Sequence, residues 1–241
     1  MKDGQWALVT GASRGLGFAI AERLAADGIP VIGIARKAPD KAFPGTFVEA
    51  DLSDAATMQA ALDDIVSRHA VTRLVNNVGH VVPERIGSID LDQMARIFDF
   101  NLRTTVQATQ AALPAMRAAA FGRIVNISSM TVLGYPERTS YAASKAALGS
   151  FTRTWALELA KSGITVNAVA PGPTETELFR VNSPVGSESE ARYLSTIPMD
   201  RLGQPAEIAA AVSYLMSVGA GYTTGQTLFV DGGGSIGLAG I

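Results

Sequence analysis

Short apolar runs alternate with longer segments of helical periodicity along most of the chain. Seven runs rich in β-branched residues have the length of strands, at residues 6–10, 31–35, 46–50, 73–77, 123–127, 164–170 and 227–230. Five segments rich in Ala and Leu repeat their apolar positions at intervals of three and four, at residues 16–26, 55–68, 91–116, 141–161 and 206–216. Strands separated by helices are typical of crossover connections and hence of parallel pairing. The pattern predicts an α/β fold with a doubly wound, mainly parallel seven-stranded sheet and helices on both faces.

The chain is long enough for one large domain, and no linker or internal repeat divides it. It has 241 residues, of which 47% are hydrophobic, enough to build a substantial core. We therefore expect a single domain over residues 1–241. The main irregular stretch runs from residue 171 to about 205, and its apolar residues favour a substrate lid, at about residues 173–204, over a disordered tail. Those residues are Leu178, Phe179, Tyr193, Leu194 and Ile197.

Charge and residue usage narrow the classes of partner. The formal net charge of −2 leaves no broad basic surface, so we expect small-molecule substrates and no nucleic acid. The absence of cysteine excludes disulfides and thiolate chemistry, and His69 and His80 lack zinc-motif spacing, so no metal site is expected. No apolar stretch reaches the ~18 residues of a membrane span, and the first residues lack the core of a signal peptide. We expect a cytoplasmic protein without a membrane partner.

Residues 10–17 read T-G-A-S-R-G-L-G and fit two chemistries. Read as G-x-S-x-G around Ser13, they match the nucleophile elbow of a serine hydrolase; read as a glycine-rich turn, they match a phosphate-binding strand-to-helix connection. A hydrolase elbow follows several strands and precedes the catalytic histidine, whereas Ser13 follows the first predicted strand and both histidines lie in the first third of the chain. The order favours the phosphate turn, in which Gly11 turns the chain, Gly15 permits close backbone approach and Gly17 lets the helix pack on the sheet.

A second motif, Y-A-A-S-K, begins the predicted helix 141–161. Tyr141 and Lys145 are spaced i and i+4, so they share one face of that helix. A neighbouring ammonium favours the ionised form of a phenol, and the ordinary tyrosine pKa near 10 would then move toward neutrality, where acid–base catalysis is efficient. Taken alone, the pair also fits a solvated helix face.

Seven motifs together resemble the short-chain dehydrogenase/reductase family in order and spacing. They are T-G-A-S-R-G-L-G at 10–17, N-N-V-G at 76–79, Asn101, N-I-S-S at 126–129, Y-A-A-S-K at 141–145, P-G at 171–172 and G-Q-T-L-F-V-D-G-G at 225–233. The resemblance covers essentially the whole chain. It implies a Rossmann-type NAD(P)-binding domain and an oxidoreductase that transfers hydride between a nicotinamide and a carbonyl or secondary alcohol.

The resemblance also implies roles for individual residues. Tyr141 resembles the catalytic acid/base, and Lys145 the residue that lowers its pKa and holds the nicotinamide ribose. Ser129 resembles the serine that orients the carbonyl, with Ser128 as an adjacent alternative because the following loop is one residue shorter than in many relatives. Asn101 is similar to the asparagine that holds a water in the proton relay.

The remaining implied contacts are with the cofactor. Asp51 and Leu52 resemble the pair beside adenine, although Asp51 also fits the N-cap of the predicted helix 55–68. The backbone of the 77–79 segment resembles the part of the family's site that lies beside the adenosine. The segment after residue 170 resembles the part that contacts the nicotinamide carboxamide. The full set of implied cofactor contacts is Thr10, Gly11, Ser13, Arg14, Gly15, Leu16, Gly17, Arg36, Asp51, Leu52, Asn77, Val78, Gly79, Tyr141, Lys145, Pro171, Gly172, Thr174 and Thr176.

Two arginines indicate which nicotinamide cofactor is used. An NAD enzyme of this architecture carries an acidic residue at the end of the second strand, which binds the ribose 2′-hydroxyl. Here Arg36 occupies that place and Arg14 lies in the glycine-rich turn, and forked guanidinium donors suit a 2′-phosphate. Asp40 is the alternative acid, although it lies beyond Pro39. The sequence therefore predicts NADP(H).

The substrate is less closely defined. The resemblance is strongest to 3-oxoacyl-[acyl-carrier-protein] reductases, and Met130, Leu133, Tyr135 and the lid predict a moderately apolar pocket. An acidic carrier protein needs basic docking residues, and Ala120 and Ser162 stand about where such relatives carry them, although Arg117 and Lys161 are neighbours. A non-acyl ketone or a sugar- or steroid-like alcohol is the alternative substrate. His80 either touches substrate or is solvated.

The sequence also predicts the oligomeric state and leaves two other functional classes as alternatives. Apolar and small residues on the segments 91–116 and 141–161, including the run 108–112, exceed what one buried face needs, so we expect a homotetramer. A catalytically idle dinucleotide-binding regulator would need a broken Ser, Tyr and Lys set, which is complete here. A hydrolase that uses Ser13 is the other alternative.

Overall fold

The computed structural model describes residues 3–237 and places seven strands of this range in one parallel sheet. The strands are β1 (Asp3–Thr10), β2 (Val31–Ala35), β3 (Thr46–Glu49), β4 (His69–Asn76), β5 (Gly122–Ile127), β6 (Ile164–Pro171) and β7 (Thr227–Val230). Their order is β3-β2-β1-β4-β5-β6-β7, so the chain builds outward from β1 in one direction and then returns to build in the other. The predicted doubly wound sheet is confirmed, and its crevice lies where the carboxyl ends of β1 and β4 diverge.

Eight α-helices connect these strands within the described range. They are α1 (Gly15–Ala26), α2 (Ala55–Arg68), α3 (Leu91–Phe98), α4 (Thr104–Ala118), α5 (Thr139–Leu159), α6 (Glu177–Asn182), α7 (Glu188–Leu194) and α8 (Pro205–Met216). The prediction of one continuous α-helix over 91–116 was wrong, because a π-helical turn, Asp99–Arg103, separates α3 from α4. Such a turn shifts the register of the side chains that follow it and often marks a functional position.

The sheet is covered on both faces. Adjacent residues of one strand point to opposite faces, so Leu8 packs with the core between the sheet and α2, α4 and α5, whereas Val9 packs with the core under α1 and α8. Strands β2, β5 and β6 are buried at every position. This double burial explains why apolar residues occupy successive positions in these strands and do not strictly alternate with polar ones, although β5 also buries Arg123 and Asn126, and β6 buries Asn167.

The stretch after β6 is more ordered than an irregular loop. It carries α6 and α7, and Arg180 in α6 forms ion pairs with Glu175 before it and with Glu190 in α7. The Arg180 guanidinium is the main cause that holds the pKa values of both carboxyl groups below their ordinary range. The side chain of Ser183 between the two helices is buried and hydrogen-bonds Ser189 at 2.7 Å. The segment is therefore a small, internally cross-linked unit.

Two features that would indicate a membrane or metal partner are absent from residues 3–237. No helix in this range is long and apolar enough to cross a membrane. No group of three or more His, Cys, Asp or Glu side chains in the same range is placed to hold a metal ion.

Candidate active site

A cleft of about 660 Å³ opens at the carboxyl ends of the strands. It brings together nearly all of the residues that the sequence predicts for cofactor and substrate. Those that line it are Gly11, Ser13, Arg14, Gly15, Leu16, Gly17, Arg36, Asp51, Leu52, Asn77, Val78, Gly79, Ser129, Tyr141, Lys145, Pro171, Gly172, Thr174 and Thr176. Thr10 and Asn101 lie behind its wall, where both side chains are buried.

The glycine-rich turn after β1 leaves the first turn of α1 open to the cleft. Gly11 and Gly15 have φ values of +66° and +55°, which favour glycine. A Cβ on Gly17 would lie 2.2 Å from the Gly11 carbonyl oxygen, so the predicted close packing of Gly17 is observed. The N-cap residue Arg14 makes no capping hydrogen bond with its side chain. The free amides of this helix terminus fit a pyrophosphate.

Asn77, which follows the neighbouring strand β4, and Thr10, the last residue of β1, hold this turn. The Asn77 Nδ2 donates to the carbonyl oxygens of Thr10 at 3.0 Å and Gly11 at 3.1 Å. The Asn77 backbone N–H in turn donates to the Thr10 hydroxyl at 3.0 Å. Both side chains are thus engaged in fixing the turn, a function that the sequence pattern did not reveal.

Neither histidine is placed to activate Ser13. His69 begins β4 and packs against Trp6, with ring centres 4.4 Å apart, so it lies at the opposite end of the sheet from the glycine-rich turn. His80 lines the cleft, but no hydrogen bond joins it to Ser13 within residues 3–237. This geometry does not support a serine nucleophile in the turn.

At the far end of the cleft, two arginines and Asp51 line the wall. Arg36 and Arg14 are exposed, and the positive charge of Arg36 contributes to a lowered pKa of Asp51, whose main cause is a hydrogen bond from the Ser53 hydroxyl. The alternative role of Asp51 as a helix cap was wrong, because Asp54 caps α2 by accepting the Thr57 N–H at 2.7 Å.

Asp40 is not part of this wall. It lines a neighbouring hollow together with Arg14 and Lys41, outside the cleft that contains Arg36. The ribose end of the cleft therefore has arginine side chains at the positions where the sequence predicts recognition of a 2′-phosphate.

Lys145 is a buried cation held by backbone carbonyl groups. Its ammonium donates to the Ile127 oxygen at 2.8 Å, at the end of β5, and to the Val78 oxygen at 3.3 Å, after β4. The side chain is 2% exposed, and burial lowers its pKa to about 8. A Cβ on Gly79 would lie 2.9 Å from the same nitrogen. Gly79 thus leaves room for Lys145 as well as forming the cleft wall.

Tyr141 lies one turn before Lys145, but its ionisation differs from the prediction. Burial raises the pKa of the phenol, and the hydrogen bond from Ser129 and the charge of Arg138 only partly oppose this. The Lys145 nitrogen is 5.9 Å from the centre of the Tyr141 ring and donates its hydrogen bonds to carbonyl oxygens. The predicted lowering by Lys145 was therefore wrong for this state, in which desolvation dominates and the phenol stays protonated at neutral pH.

The two candidate serines have different surroundings. The Ser128 side chain is buried, and its hydroxyl donates to the Lys145 carbonyl oxygen at 3.1 Å. The Ser129 hydroxyl oxygen accepts from the Thr131 N–H at 3.2 Å and from its hydroxyl at 2.9 Å, which leaves its own hydrogen free to donate. The geometry favours Ser129 as the serine beside Tyr141.

Asn101 lies in the π-helical turn between α3 and α4 and is fully buried. Its Oδ1 accepts the His80 N–H at 2.7 Å, and its Nδ2 donates to the Ser144 hydroxyl at 2.8 Å. That hydroxyl donates to the Tyr141 carbonyl oxygen at 2.8 Å. The asparagine thus connects the loop after β4 to the first turn of α5.

The substrate side of the cleft is walled by aromatic residues. Phe179 and Tyr193 from the 173–204 segment line it together with Tyr135 and Met130. Tyr135 and Tyr193 are stacked, with ring centres 5.4 Å apart, and burial is the main cause that raises the pKa of Tyr135 to about 12. Leu133 does not belong to this wall: it is 58% exposed. The loop that follows Met130 turns its side chain outward.

The predicted cofactor contacts Thr174 and Thr176 form hydrogen bonds within their own segment of the chain. The Thr176 hydroxyl caps α6 by accepting the Phe179 N–H at 3.1 Å, and the Thr174 hydroxyl donates to the Gly172 oxygen at 2.9 Å. Both line the cleft but also shape the start of the lid segment.

Arg138 also lines the substrate side of the cleft, although the sequence did not predict it as a site residue. Its only signal in the sequence was its position three residues before Tyr141.

This arrangement defines a class of protein. A doubly wound parallel sheet, an open helix terminus at a glycine-rich turn, and a Tyr/Lys pair with a serine at the same sheet edge are the components of an NAD(P)-dependent oxidoreductase. The family model described as Enoyl-(Acyl carrier protein) reductase matches residues 11–235. The chain belongs to the short-chain dehydrogenase/reductase family.

Individual relatives agree with this family. A 3-oxoacyl-[acyl-carrier-protein] reductase from Vibrio harveyi is 38% identical over 240 residues, which cover 96% of this chain and 97% of that protein. The aldohexose dehydrogenase of Thermoplasma acidophilum, solved in ligand-free form, has a TM-score of 0.89 at 35% identity, with 98% and 96% of the two chains covered. A blue fluorescent protein from a metagenomic library, solved in complex with NADPH, has a TM-score of 0.85 at 33% identity, with 97% and 98% covered.

The buried ammonium predicts a pH dependence. With a pKa of about 8, Lys145 is charged below that pH and loses its charge as the pH rises through it. If Lys145 holds the nicotinamide ribose, kcat/KM for NADPH should fall about tenfold per pH unit above about pH 8. Tyr141 does not cause this fall in kcat/KM above about pH 8, because burial raises its pKa and the phenol stays protonated in that range.

Replacement of Lys145 by arginine isolates the effect. A guanidinium keeps its charge to above about pH 12. The kcat/KM of the Lys145→Arg variant should therefore not fall above about pH 8, even if the absolute rate of the variant is lower. An unchanged fall near pH 8 in this variant would show that another group titrates.

Proposed function

We propose that the protein is an NADP(H)-dependent reductase of a ketone carbonyl, which also oxidises the corresponding secondary alcohol in reverse. The observation that carries this proposal is a half-buried phenol that stays protonated at neutral pH, Tyr141, with the Ser129 hydroxyl beside it and the Lys145 ammonium one helical turn away. These groups lie in the same cleft as the phosphate-binding turn. A dinucleotide extended along this cleft would have its reactive end near the proton donor, which supports the proposal.

The proposed mechanism assigns one task to each side chain. When bound, reduced nicotinamide supplies a hydride to the carbonyl carbon. Ser129 and Tyr141 donate hydrogen bonds to the carbonyl oxygen and oppose the negative charge that develops there. Tyr141 then transfers its proton to that oxygen, which completes the alcohol. The raised pKa of Tyr141 suits this direction, since the phenol is protonated when the substrate arrives.

Lys145 and Asn101 support this acid in the proposal. The Lys145 ammonium would hold the nicotinamide ribose and stabilise the tyrosinate left after proton transfer. Asn101 would position a water that returns a proton to the site. Its hydrogen bonds to His80 and Ser144 fix its amide, which supports a positioning function for it.

We propose a 3-oxoacyl thioester or a similar ketone as the substrate. The named similarity to 3-oxoacyl-[acyl-carrier-protein] reductases and the aromatic wall of the cleft support it. Docking of an acidic carrier protein is less supported, because Ala120 and Ser162 leave only Arg117 and Lys161 as nearby exposed cations. A small non-acyl ketone or a sugar is the second candidate, which the likeness to an aldohexose dehydrogenase favours. We place the reaction in the cytoplasm, where NADPH favours reduction.

We also propose a homotetramer, although the structure supports only one part of the argument from the sequence. Ala108 and Ala112 are fully buried against the sheet of their own chain, so they cannot provide an exposed flat surface as predicted. Leu157, in the last turn of α5, is 83% exposed, and this apolar surface is the feature of α5 that supports burial by another copy.

Light scattering tests the assembly. At micromolar concentration we expect a mass about four times the 25.1 kDa of one chain, and Leu157→Glu should lower it. A mass equal to one chain in the wild type would contradict the tetramer.

Replacement of Tyr141 by phenylalanine tests the proposed acid. The change removes only the hydroxyl, so fold and NADPH affinity should largely survive while turnover drops by about two to four orders of magnitude. Thermal denaturation and NADPH titration serve as the controls. Near-normal turnover of Tyr141→Phe on a reducible ketone would show that the proton comes from elsewhere.

Replacement of Arg36 by aspartate tests the cofactor. Loss of the guanidinium and repulsion of the 2′-phosphate should erode the preference for NADPH over NADH by about 2 to 4 kcal/mol in kcat/KM. Lys37→Asp is the matched control, because Lys37 makes the same charge change next to the cleft without lining it. Equal or better use of NADH by the wild type would contradict the NADP(H) assignment.

A further inference from the structure

One cation on the substrate side of the cleft has no acidic partner. The Arg138 guanidinium donates to the Glu137 carbonyl oxygen at 3.0 Å and, at 3.4 Å, to the Tyr193 hydroxyl. It lies over the Tyr135 ring, 6.0 Å from the ring centre. Within residues 3–237, no carboxylate forms a salt bridge with it. The charge is therefore half-buried among aromatic rings without a counter-charge.

The adjacent acidic residues do not compensate for it. The Glu137 carboxylate pairs with Arg85 at 2.6 Å on the surface. Glu84 lies across a backbone bridge from Arg138, and its N–H donates to the Glu137 oxygen at 3.1 Å. However, both oxygens of the Glu84 side chain are buried without a hydrogen-bond partner in the described structure. The Arg138 guanidinium thus bonds to neither of these carboxylates, and Arg138 lines the cleft.

Within residues 3–237, the Arg138 side chain bonds to the local backbone through the Glu137 carbonyl oxygen alone. Arg138 is the N-cap of α5, yet its side chain makes no capping bond, and a cation at a helix N-terminus opposes the helix dipole. The preceding residue, Glu137, has a φ of +61°, a conformation that non-glycine residues rarely adopt and that is concentrated at functional sites. Capping of α5 therefore does not account for an arginine at this position.

We propose that the substrate carries a carboxylate, which the Arg138 guanidinium binds while Tyr141 holds the carbonyl. The inference rests on the proposed reductase function and, among the ketones proposed there, selects a short oxo acid in place of a 3-oxoacyl thioester. Arg138 and Tyr141 are three residues apart in the first turn of α5 and face the same cleft, so the two groups of the substrate are separated by a few bonds. A carboxylate matches the forked donors of a guanidinium, and Tyr135 and Tyr193 would contact the carbons between them.

Matched acids and esters test this assignment. Pyruvate, acetoacetate and levulinate place the carboxylate at increasing distance from the ketone, and their methyl esters remove its charge while keeping the ketone. With NADPH, the wild type should prefer at least one acid to its ester by tenfold or more in kcat/KM. In Arg138→Gln this acid-to-ester ratio should fall by at least tenfold, mainly through KM of the acid.

Arg85→Gln is the control variant, since it removes a guanidinium that pairs with Glu137 but lies outside the cleft, and it should keep the wild-type ratio. A wild type that prefers every ester, or a ratio that Arg138→Gln leaves unchanged, would overturn the inference. If Arg138 serves instead as a structural partner of Glu84, its replacement slows acid and ester alike, which also overturns it.

A binding measurement separates this inference from the proposed function. Calorimetry of levulinate and of methyl levulinate, each in the presence of NADP⁺, needs no turnover. Binding of levulinate that Arg138→Gln weakens by tenfold or more supports the anion site even if no ketone is reduced, in which case only the reductase function fails. Equal binding of acid and ester, with reduction of neutral ketones intact, overturns the anion site and leaves the reductase function standing.

Discussion

The ammonium of Lys145, held between two backbone carbonyl oxygens, fixes the relative positions of the other groups in the cleft. Ile127 ends β5 and Val78 follows β4, so the hydrogen bonds to their oxygens tie α5 to the edge of the sheet. Tyr141 is placed by the same helix, one turn earlier. Burial of a cation is costly unless hydrogen bonds replace water, and the lowered pKa of Lys145 reflects that cost. The site keeps this unfavourable group where its charge is needed.

The phosphate-binding turn and the proposed catalytic side chains lie close together because both are held at the same edge of the sheet. The glycine-rich turn follows β1, and Asn77 after β4 holds that turn by hydrogen bonds to its carbonyl oxygens. The next residues, Val78 and Gly79, contact Lys145. The three-residue segment 77–79 thus connects the phosphate-binding turn to Lys145. Parallel strands make this possible, since their carboxyl ends all open to the same side.

Sequence alone predicted the sheet and most of the cleft, because its buried parallel strands are short segments rich in apolar and β-branched residues and because the glycine and Y-x-x-x-K spacings constrain local geometry. It failed where periodicity carries no signal. The π-helical turn that carries Asn101 keeps helical spacing on both sides, and α6 and α7 are too short, at 6 and 7 residues, to show a period. The raised pKa of Tyr141 depends on burial, which spacing does not report. Arg138 has the appearance of a solvated helix end until the aromatic rings around it are known.

The direct test of the central claim is the fate of the nicotinamide hydrogen. NADPH that carries two deuterium atoms at C4 should be incubated with the wild-type protein and an accepted ketone, and the alcohol analysed by mass spectrometry and NMR. The account predicts one deuterium on the carbinol carbon for each NADPH consumed, and a hydroxyl proton derived from solvent through Tyr141. An alcohol without deuterium at that carbon, or NADPH consumption without alcohol, would contradict it.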